Sequence, residues 1–285
     1  MSDSQPRLAF LGMPRTGKST FLGVFWALVQ SPLERSVSEA SFNGDRSYIQ
    51  KLAEQVARGE EIDRTGVDAN EEMAVELAFD PEGTAELLIP DTSGESLRVL
   101  VERHTWHPRL RSACEDATAI LIFVHPERLR LPQPVSVLPP ASAGSAEPAA
   151  NEPMEDSPVP FDVHEHGCTA AELIDVFENV AELCHDRWPI RVGIVVSAWD
   201  KVDGDPTPTP YEWLQARLPG VLATIEANPD IAELGVFGVS AQGGSLDARE
   251  ELLARGEICD RVFARDQWGQ PISLVEPIRW AIWGS

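Results

Sequence analysis

One stretch near the start of the chain decides its fold: Gly12-Met13-Pro14-Arg15-Thr16-Gly17-Lys18-Ser19-Thr20. It matches the pattern G-x-x-x-x-G-K-[ST], follows the apolar residues 8–11 and precedes an apolar helical pattern over residues 21–29. This order of strand, loop and helix is what a phosphate-binding loop requires. Its two glycines let successive backbone N–H groups point inward at phosphate oxygens. The sequence therefore predicts a site for a nucleoside triphosphate.

Each part of this loop has an expected task around the triphosphate. Lys18 would reach the β- and γ-phosphates, while the hydroxyl of Ser19 would bind Mg²⁺. The start of the following helix would add positive potential. Pro14 and Arg15 occupy positions that usually carry small residues. The residues of the loop expected to contact nucleotide are Gly12, Pro14, Arg15, Thr16, Gly17, Lys18, Ser19 and Thr20.

Composition narrows the class of protein. The 285 residues are 43% hydrophobic, which supports a proper core. The formal charge of −23, from 46 acidic and 23 basic side chains, disfavours nucleic acid and anionic lipid as partners. The 4 cysteines form no C-x-x-C pair, so free thiols are expected. With no signal peptide and no apolar run of transmembrane length, we expect a cytoplasmic protein without membrane insertion.

Strand and helix patterns alternate along the chain, which predicts an α/β fold of three layers with a mostly parallel sheet. Residues 73–79 and 85–90 are separated by the turn sequence DPEGT, so they should form one antiparallel hairpin. The other expected strands are residues 7–12, 118–124, 191–197 and 235–240, and the expected helices are 17–30, 44–58, 96–116, 168–187, 210–227 and 271–283. The pair Pro219-Gly220 allows a bend in the helix over 210–227.

Residues 131–163 interrupt this alternation, since they are rich in Pro, Ala, Ser and Glu and lack periodicity. We expect a disordered insertion there, either a solvated excursion or a functional tether for a partner. The rest of residues 1–285 is expected to form a single domain. The string HEHGC over residues 164–168 resembles a metal cluster, but it has no second pair of ligands and is set aside.

Further motifs follow later strands, at the edge where ligands of such sheets bind. Asp91 at the end of the hairpin can hold Mg²⁺ through water, and the backbone N–H of Gly94 can approach the γ-phosphate. Asp200, in the sequence Ser197-Ala198-Trp199-Asp200, suits guanine, whose N1–H and N2–H₂ are adjacent donors for one carboxylate. The backbone of Ser240 and Ala241 would meet the guanine O6.

Four motifs occur in this order along the chain: the phosphate loop, Asp91 to Gly94, Ser197 to Asp200, and Ser240-Ala241. Together they resemble the motifs of Ras-like GTPases of the translation-factor-related class, over nearly the whole chain outside residues 131–163. More narrowly, the chain resembles the double-GTPase proteins of bacterial conflict and defence gene clusters. The resemblance implies a Ras-like G domain that takes GTP or GDP with Mg²⁺. It implies that Asp200 reads guanine, that Ser19 and Asp91 bind the metal, and that Thr65 senses the γ-phosphate. A plain polar loop residue is the alternative for Thr65.

The sequence also departs from this class. The usual N-K-x-D is Ser-Ala-Trp-Asp, so the lysine stem that would cover the base is missing. Trp199 either replaces that packing or is a core aromatic. Glu95 stands where Ras-like proteins have a water-orienting Gln, so hydrolysis should be slow. The string Arg15-Thr16-Gly17-Lys18-Ser19 resembles the phosphate loop of guanylate-binding proteins, in which the arginine acts as a finger in cis once two G domains face one another. A solvent-facing arginine is the alternative for Arg15.

The function expected from these residues is that of a Mg²⁺-dependent GTP-binding protein and slow GTPase that acts as a switch. Its catalytic residues would be Lys18, Arg15, Thr65 and Glu95. A protein partner or a second GTPase chain is expected, and a homodimer through the face of the G domain is one form of it. Two other functions stay open: a binding module that does not hydrolyse nucleotide, and an ATPase or small-molecule kinase with the same loop.

Overall fold

A computed structural model of the chain describes residues 5–62, 73–89, 94–132, 167–202 and 206–284. In these ranges the chain forms an α/β fold of nine strands and ten helices. The strands are β1 Arg7–Leu11, β2 Val37–Asn43, β3 Met73–Phe79, β4 Gly83–Ile89, β5 Ala119–Val124, β6 Ile190–Ser197, β7 Ala232–Ser240, β8 Phe263–Arg265 and β9 Pro271–Ile272. The helices are α1 Lys18–Val29, α2 Arg46–Ala57, α3 Glu95–Arg103, α4 Pro108–Asp116, α5 Thr169–Leu183, α6 Pro210–Arg217, α7 Pro219–Glu226, α8 Arg249–Ala254, α9 Ile258–Arg261 and α10 Glu276–Trp283.

All nine strands belong to one sheet in the order β2-β3-β4-β1-β5-β6-β7-β8-β9. The five central strands, from β4 to β7, run parallel, with Leu8 of β1 opposite Leu87 of β4 and Ala119 of β5. The predicted hairpin is confirmed as β3 and β4, which pair antiparallel from Met73 opposite Ile89 to Phe79 opposite Gly83. Three antiparallel pairs were not predicted: β2 with β3 beside the hairpin, and β7 with β8 and β8 with β9 at the other edge.

Helices cover both faces of the sheet, as the three-layer prediction requires. One apolar core joins α1, α2, α9 and α10 to the sheet, and the other joins α3 to α7. Every residue of β5 is buried because both of its faces are covered. The helix after β1 and the helix after β4 lie on opposite faces. The crevice at the carboxyl ends of these strands is therefore the ligand site expected of an open α/β sheet.

Several boundaries differ from the sequence prediction. The helical segment 96–116 divides into α3 and α4, because His104 adopts a left-handed conformation and Pro108 begins the second helix. The helix predicted over 210–227 is two helices that meet at Leu218. The closing helix predicted over 271–283 is wrong in its first part, which contains β9. Strands β2 and β8 and helices α8 and α9 were not predicted, since they are short or partly exposed.

Two expectations lie partly or wholly outside the described residues. The proposed insertion over 131–163 is described only at residues 131 and 132. Neither Thr65 nor Asp91 is among the described residues. Within the part of the chain that is described, no helix has both the length and the apolar character needed to cross a membrane.

Candidate functional site

The phosphate loop connects the end of β1 to the start of α1. Gly17 immediately precedes α1 with a φ of +91°, which a residue with a side chain rarely adopts. A Cβ atom added to Gly17 would lie 2.9 Å from both Cβ and Oγ of Ser197. The end of β6 therefore packs directly against the loop, so that the motif containing Asp200 is next to the motif containing Lys18.

Lys18 lies inside the loop, with only 6% of its surface exposed. Its ammonium group donates to the carbonyl oxygen of Gly12, and the Met13 carbonyl oxygen is 3.5 Å away. Thr16 closes the same turn, since its hydroxyl donates to the Met13 carbonyl oxygen at 2.9 Å. The amino-terminal end of α1, the positive end of its helix dipole, opens onto this loop. Ser19, in the first turn of α1, is half-buried.

Arg15 is at the exposed tip of this loop and has a φ of +64°. A left-handed conformation costs a residue with a side chain about 1 kcal/mol, and such strain is concentrated at functional sites. Arg15 and Pro14 line a cavity of about 560 Å³ together with residues of three other segments: Glu95, Arg98, His125, Arg128 and Thr169. Burial and the nearby Arg128 lower the pKa of His125 below its usual 6.5.

The start of α3 touches the same loop. Gly94 precedes α3 with a φ of +70°, and an added Cβ atom would lie 2.6 Å from the backbone nitrogen of Pro14. Glu95 follows in the first turn, exposed to solvent, with its carboxylate 3.8 Å from the guanidinium of Arg98. The structure thus brings Gly94 and Glu95 beside the phosphate loop. The two other residues expected here, Asp91 and Thr65, lie outside the described residues.

The segment after β6 turns sharply at Ala198, which has a φ of +47°. This turn directs Trp199 inward and leaves Asp200 exposed. A carboxylate oxygen of Asp200, Oδ1, accepts a hydrogen bond from the hydroxyl of Ser240. Ser240 is fully buried and also accepts a hydrogen bond from the backbone N–H of Gly243 at 3.1 Å. The two motifs expected to bind guanine are therefore joined by a direct contact.

The structure buries Trp199, as is typical of a core aromatic residue. Only 3% of its surface is exposed, and its ring meets Trp213 edge to face at a centroid distance of 6.5 Å. It also lies against the backbone of Gly238 on β7, where an added Cβ atom would overlap the indole. The indole is part of the core. This burial favours the core role over packing on the base, and Trp199 also lines a cavity of about 450 Å³ together with Asp200.

Sequence reasoning missed two features of this site. It assigned the backbone of Ser240 to the base but did not foresee that its hydroxyl would hold Asp200. It also gave no signal for Arg128, which joins the cavity beside Arg15 only through the fold.

Among the described residues no group of three or more His, Cys, Asp or Glu side chains is arranged to hold a metal ion. Of the expected magnesium ligands, only Ser19 is described.

Comparison with solved structures finds GTP-binding proteins of low sequence identity. Era from Aquifex aeolicus, bound to GDP and AlF4−, is 16% identical over 87% of this chain and 54% of its own, with a TM-score of 0.37. This chain therefore spans about half the length of that Era chain. A nucleolar GTP-binding protein from Plasmodium falciparum is 12% identical over 88% of this chain and 87% of its own, with a TM-score of 0.36. The SRβ–GTP/SRX complex from Chaetomium thermophilum is 14% identical over 94% of this chain and 99% of that chain, with a TM-score of 0.40.

Comparison with families of related sequences is more specific. A search of curated proteins finds no match. The model of the family called Double-GTPase 1 matches residues 9–281, which include the phosphate loop, the hairpin and both motifs expected to bind guanine. This match covers nearly the whole chain and agrees with the three-layer fold. The chain belongs to the Double-GTPase 1 family.

Proposed function

We propose that this chain is a single G domain that binds GTP with Mg²⁺, hydrolyses it slowly and acts as a nucleotide-dependent switch. Membership of the family supports guanine-nucleotide binding and GTPase activity as the general function. The observation that carries the proposal is the contact between Gly17 and Ser197. Because Ser197 lies three residues before Asp200, this contact supports a site in which the lysine of the phosphate loop and the carboxylate expected to read the purine serve the same nucleotide.

The phosphates would bind by exchange of partners at Lys18. Its ammonium group now donates to backbone carbonyl oxygens of the loop, and β- and γ-phosphate oxygens are stronger, charged acceptors. The backbone N–H groups of the loop and of the first turn of α1 would complete the cradle. Ser19, Asp91 and Thr65 would hold Mg²⁺, which neutralises charge on the phosphates.

Guanine would be selected by Asp200. Because Ser240 holds one oxygen of this carboxylate, the group has a fixed direction before nucleotide arrives. Its acceptor oxygens match the N1–H and N2–H₂ donors of guanine, whereas adenine has an acceptor at N1 and would leave the carboxylate unpaired. The neighbouring backbone of Ala241 would face the guanine O6. We therefore favour GTP over ATP.

Hydrolysis should be slow without help from a partner. Glu95 is exposed at the start of α3, where its negative charge would oppose the γ-phosphate that it would have to approach. Arg15 is exposed at the tip of the loop, so its guanidinium can approach the γ-phosphate of its own chain once a partner covers it. A second GTPase chain, as a homodimer or a relative, is the partner we propose, in a cytoplasmic defence system of bacteria. The exposed position and negative charge of Glu95 also favour a second candidate function, that of a module that binds nucleotide without turnover.

Calorimetry and single-turnover phosphate release test these functions separately. The wild-type chain should bind GDP at millimolar Mg²⁺, and Lys18→Ala should lose most of that affinity. Phosphate release from bound GTP should be slow at low protein concentration and faster at high concentration, and Arg15→Ala should abolish the increase. Absence of GDP binding would overturn the proposal. Binding without any phosphate release would favour the module.

A further inference from the structure

The last turn of α2 is held by two arginines that come from the other end of the chain. The guanidinium of Arg261 donates from Nη2 to the carbonyl oxygens of Val56 and Ala57, at 3.0 and 2.9 Å. Arg249 donates from Nε to the carbonyl oxygen of Arg58 at 2.9 Å. Three successive carbonyl groups at this helix end thus accept hydrogen bonds from side chains of α8 and α9, and the Val56 carbonyl also accepts one from the backbone N–H of Gly59.

The backbone of Arg261 supports the loop expected to bind guanine. We call residues 240–244 the base loop. Gly243 in the base loop has a φ of +77°, and an added Cβ atom would overlap the backbone of Arg261, with its carbonyl carbon at 2.6 Å. Arg255 holds the same residue from the other side, since its Nη1 donates to the Gly243 carbonyl oxygen at 2.6 Å. One residue, Arg261, therefore touches the base loop with its backbone and α2 with its side chain.

Burial of the Arg261 guanidinium costs free energy that its contacts have to offset. Only 5% of its surface is exposed, and the nearby charge of Glu257 opposes only part of the effect of burial on its pKa. Its Nε and Nη1 have no hydrogen-bond partner among the described residues. Burial lowers its pKa, although a guanidinium stays charged at neutral pH. The carbonyl end of α2 is the negative end of the helix dipole, which offsets part of the cost of burying this charge.

We propose that Arg261 is a positioning residue that couples the base loop to the last turn of α2. The contacts run without a gap from Asp200 to Ser240, from Ser240 to Gly243, and from Gly243 through Arg261 to α2. This inference rests on the proposed function, because it takes the base loop as the guanine site. Guanine that fixes the base loop would also fix the end of α2, and by linkage a fixed α2 would raise guanine affinity.

Hydrogen exchange with and without GDP tests this coupling. In the wild-type protein, GDP should slow amide exchange over residues 54–62 by about tenfold, a typical size for coupling between two sites. In Arg261→Met, which keeps most of the volume but not the donors, the slowing should disappear and GDP affinity should fall by about tenfold. A loss of general stability would speed exchange in both states and leave their ratio unchanged.

Arg191→Met is the matched control. Arg191 also donates to the end of a helix, since its Nη1 lies 2.8 Å from the carbonyl oxygen of Ile282 in α10. It sits near the amino end of β6, away from the base loop. This variant should keep both the GDP affinity and the slowing over residues 54–62.

The outcomes distinguish a failure of the proposed function from a failure of this inference. If the wild-type chain does not bind GDP, the proposed function is wrong and this inference falls with it. If Arg261→Met binds GDP like the wild type and keeps the slowing, the inference is wrong while the proposed function stands. If Arg261→Met does not fold, Arg261→Lys replaces it, because the lysine ammonium keeps the positive charge but lacks the planar fork that holds the Val56 and Ala57 carbonyl oxygens. That variant should lose about half of the slowing, and an unchanged ratio would overturn the coupling.

Discussion

The hydroxyl of Ser240 donates a hydrogen bond to Oδ1 of Asp200, across a separation of 40 residues in the chain. Ser240 ends β7 and Asp200 follows β6, two neighbouring parallel strands whose carboxyl ends meet at one edge of the sheet. The buried hydroxyl fixes the direction of an exposed carboxylate. Selection of a purine by Asp200 would depend on that orientation.

Removal of this hydroxyl should weaken guanine binding. In Ser240→Ala the carboxylate of Asp200 loses its donor and turns more freely, so we expect GDP affinity to fall by about tenfold, the equivalent of about 1.4 kcal/mol. Titration of the purified variant with GDP gives this number. Ser245→Ala is the control, since Ser245 caps the next short turn and does not touch Asp200. Equal affinities for the wild type and Ser240→Ala would show that the hydrogen bond has no role in recognition.

The contact of Gly94 with the phosphate loop predicts a specific cost for an added methyl group. Gly94→Ala should lower both stability and nucleotide affinity, because its Cβ atom would lie 2.6 Å from the Pro14 nitrogen and push α3 away from the loop. Gly83→Ala is the matched control: its φ of +124° is similarly strained, but no atom lies within 4 Å of the added Cβ. Urea unfolding should show about 1 kcal/mol for Gly83→Ala and more for Gly94→Ala. Equal losses, with normal nucleotide affinity in both, would contradict the contact.

Trp199 should contribute to stability rather than to recognition of the base. Trp199→Ala would empty a core position and lower the free energy of unfolding by about 3–5 kcal/mol. Trp199→Phe, a smaller change, should lose less stability and keep the preference for GDP over ADP. These values come from urea unfolding and nucleotide titration of the same samples. A loss of guanine preference in Trp199→Phe at unchanged stability would indicate that the indole takes part in recognition of the base.

His125 should make the fold sensitive to mild acid. Its pKa is lowered in the folded protein, first by burial and then by Arg128, so the unfolded chain binds more protons than the folded chain below the usual 6.5. The stability due to neutral His125 is complete above that value and is lost as pH falls through the folded pKa. Urea midpoints between pH 7.5 and 5.5 should therefore decrease, and His125→Gln should flatten the decrease. An identical slope in the variant would exclude His125 as the cause.

The sequence predicted those features that are local. Residues 12–20 carry a complete motif between a strand and a helix, and the DPEGT turn marks the hairpin without any distant information. The role of Trp199 could not be decided in this way, because it depends on the left-handed turn at Ala198. The link from Arg261 to α2 joins residues more than 200 positions apart, and no spacing in the sequence indicates it. Thr65 and Asp91 remain predictions.

Competition between purine nucleotides tests the central claim most directly. Labelled GDP bound to the wild-type chain at millimolar Mg²⁺ should be displaced by unlabelled GDP at concentrations at least about a hundredfold lower than by ADP, because only guanine pairs with the Asp200 carboxylate. In Asp200→Asn this difference should shrink to about tenfold or less, because the amide replaces an acceptor by a donor. Equal displacement by GDP and ADP in the wild type, or an unchanged preference in Asp200→Asn, would contradict a guanine site built on this carboxylate.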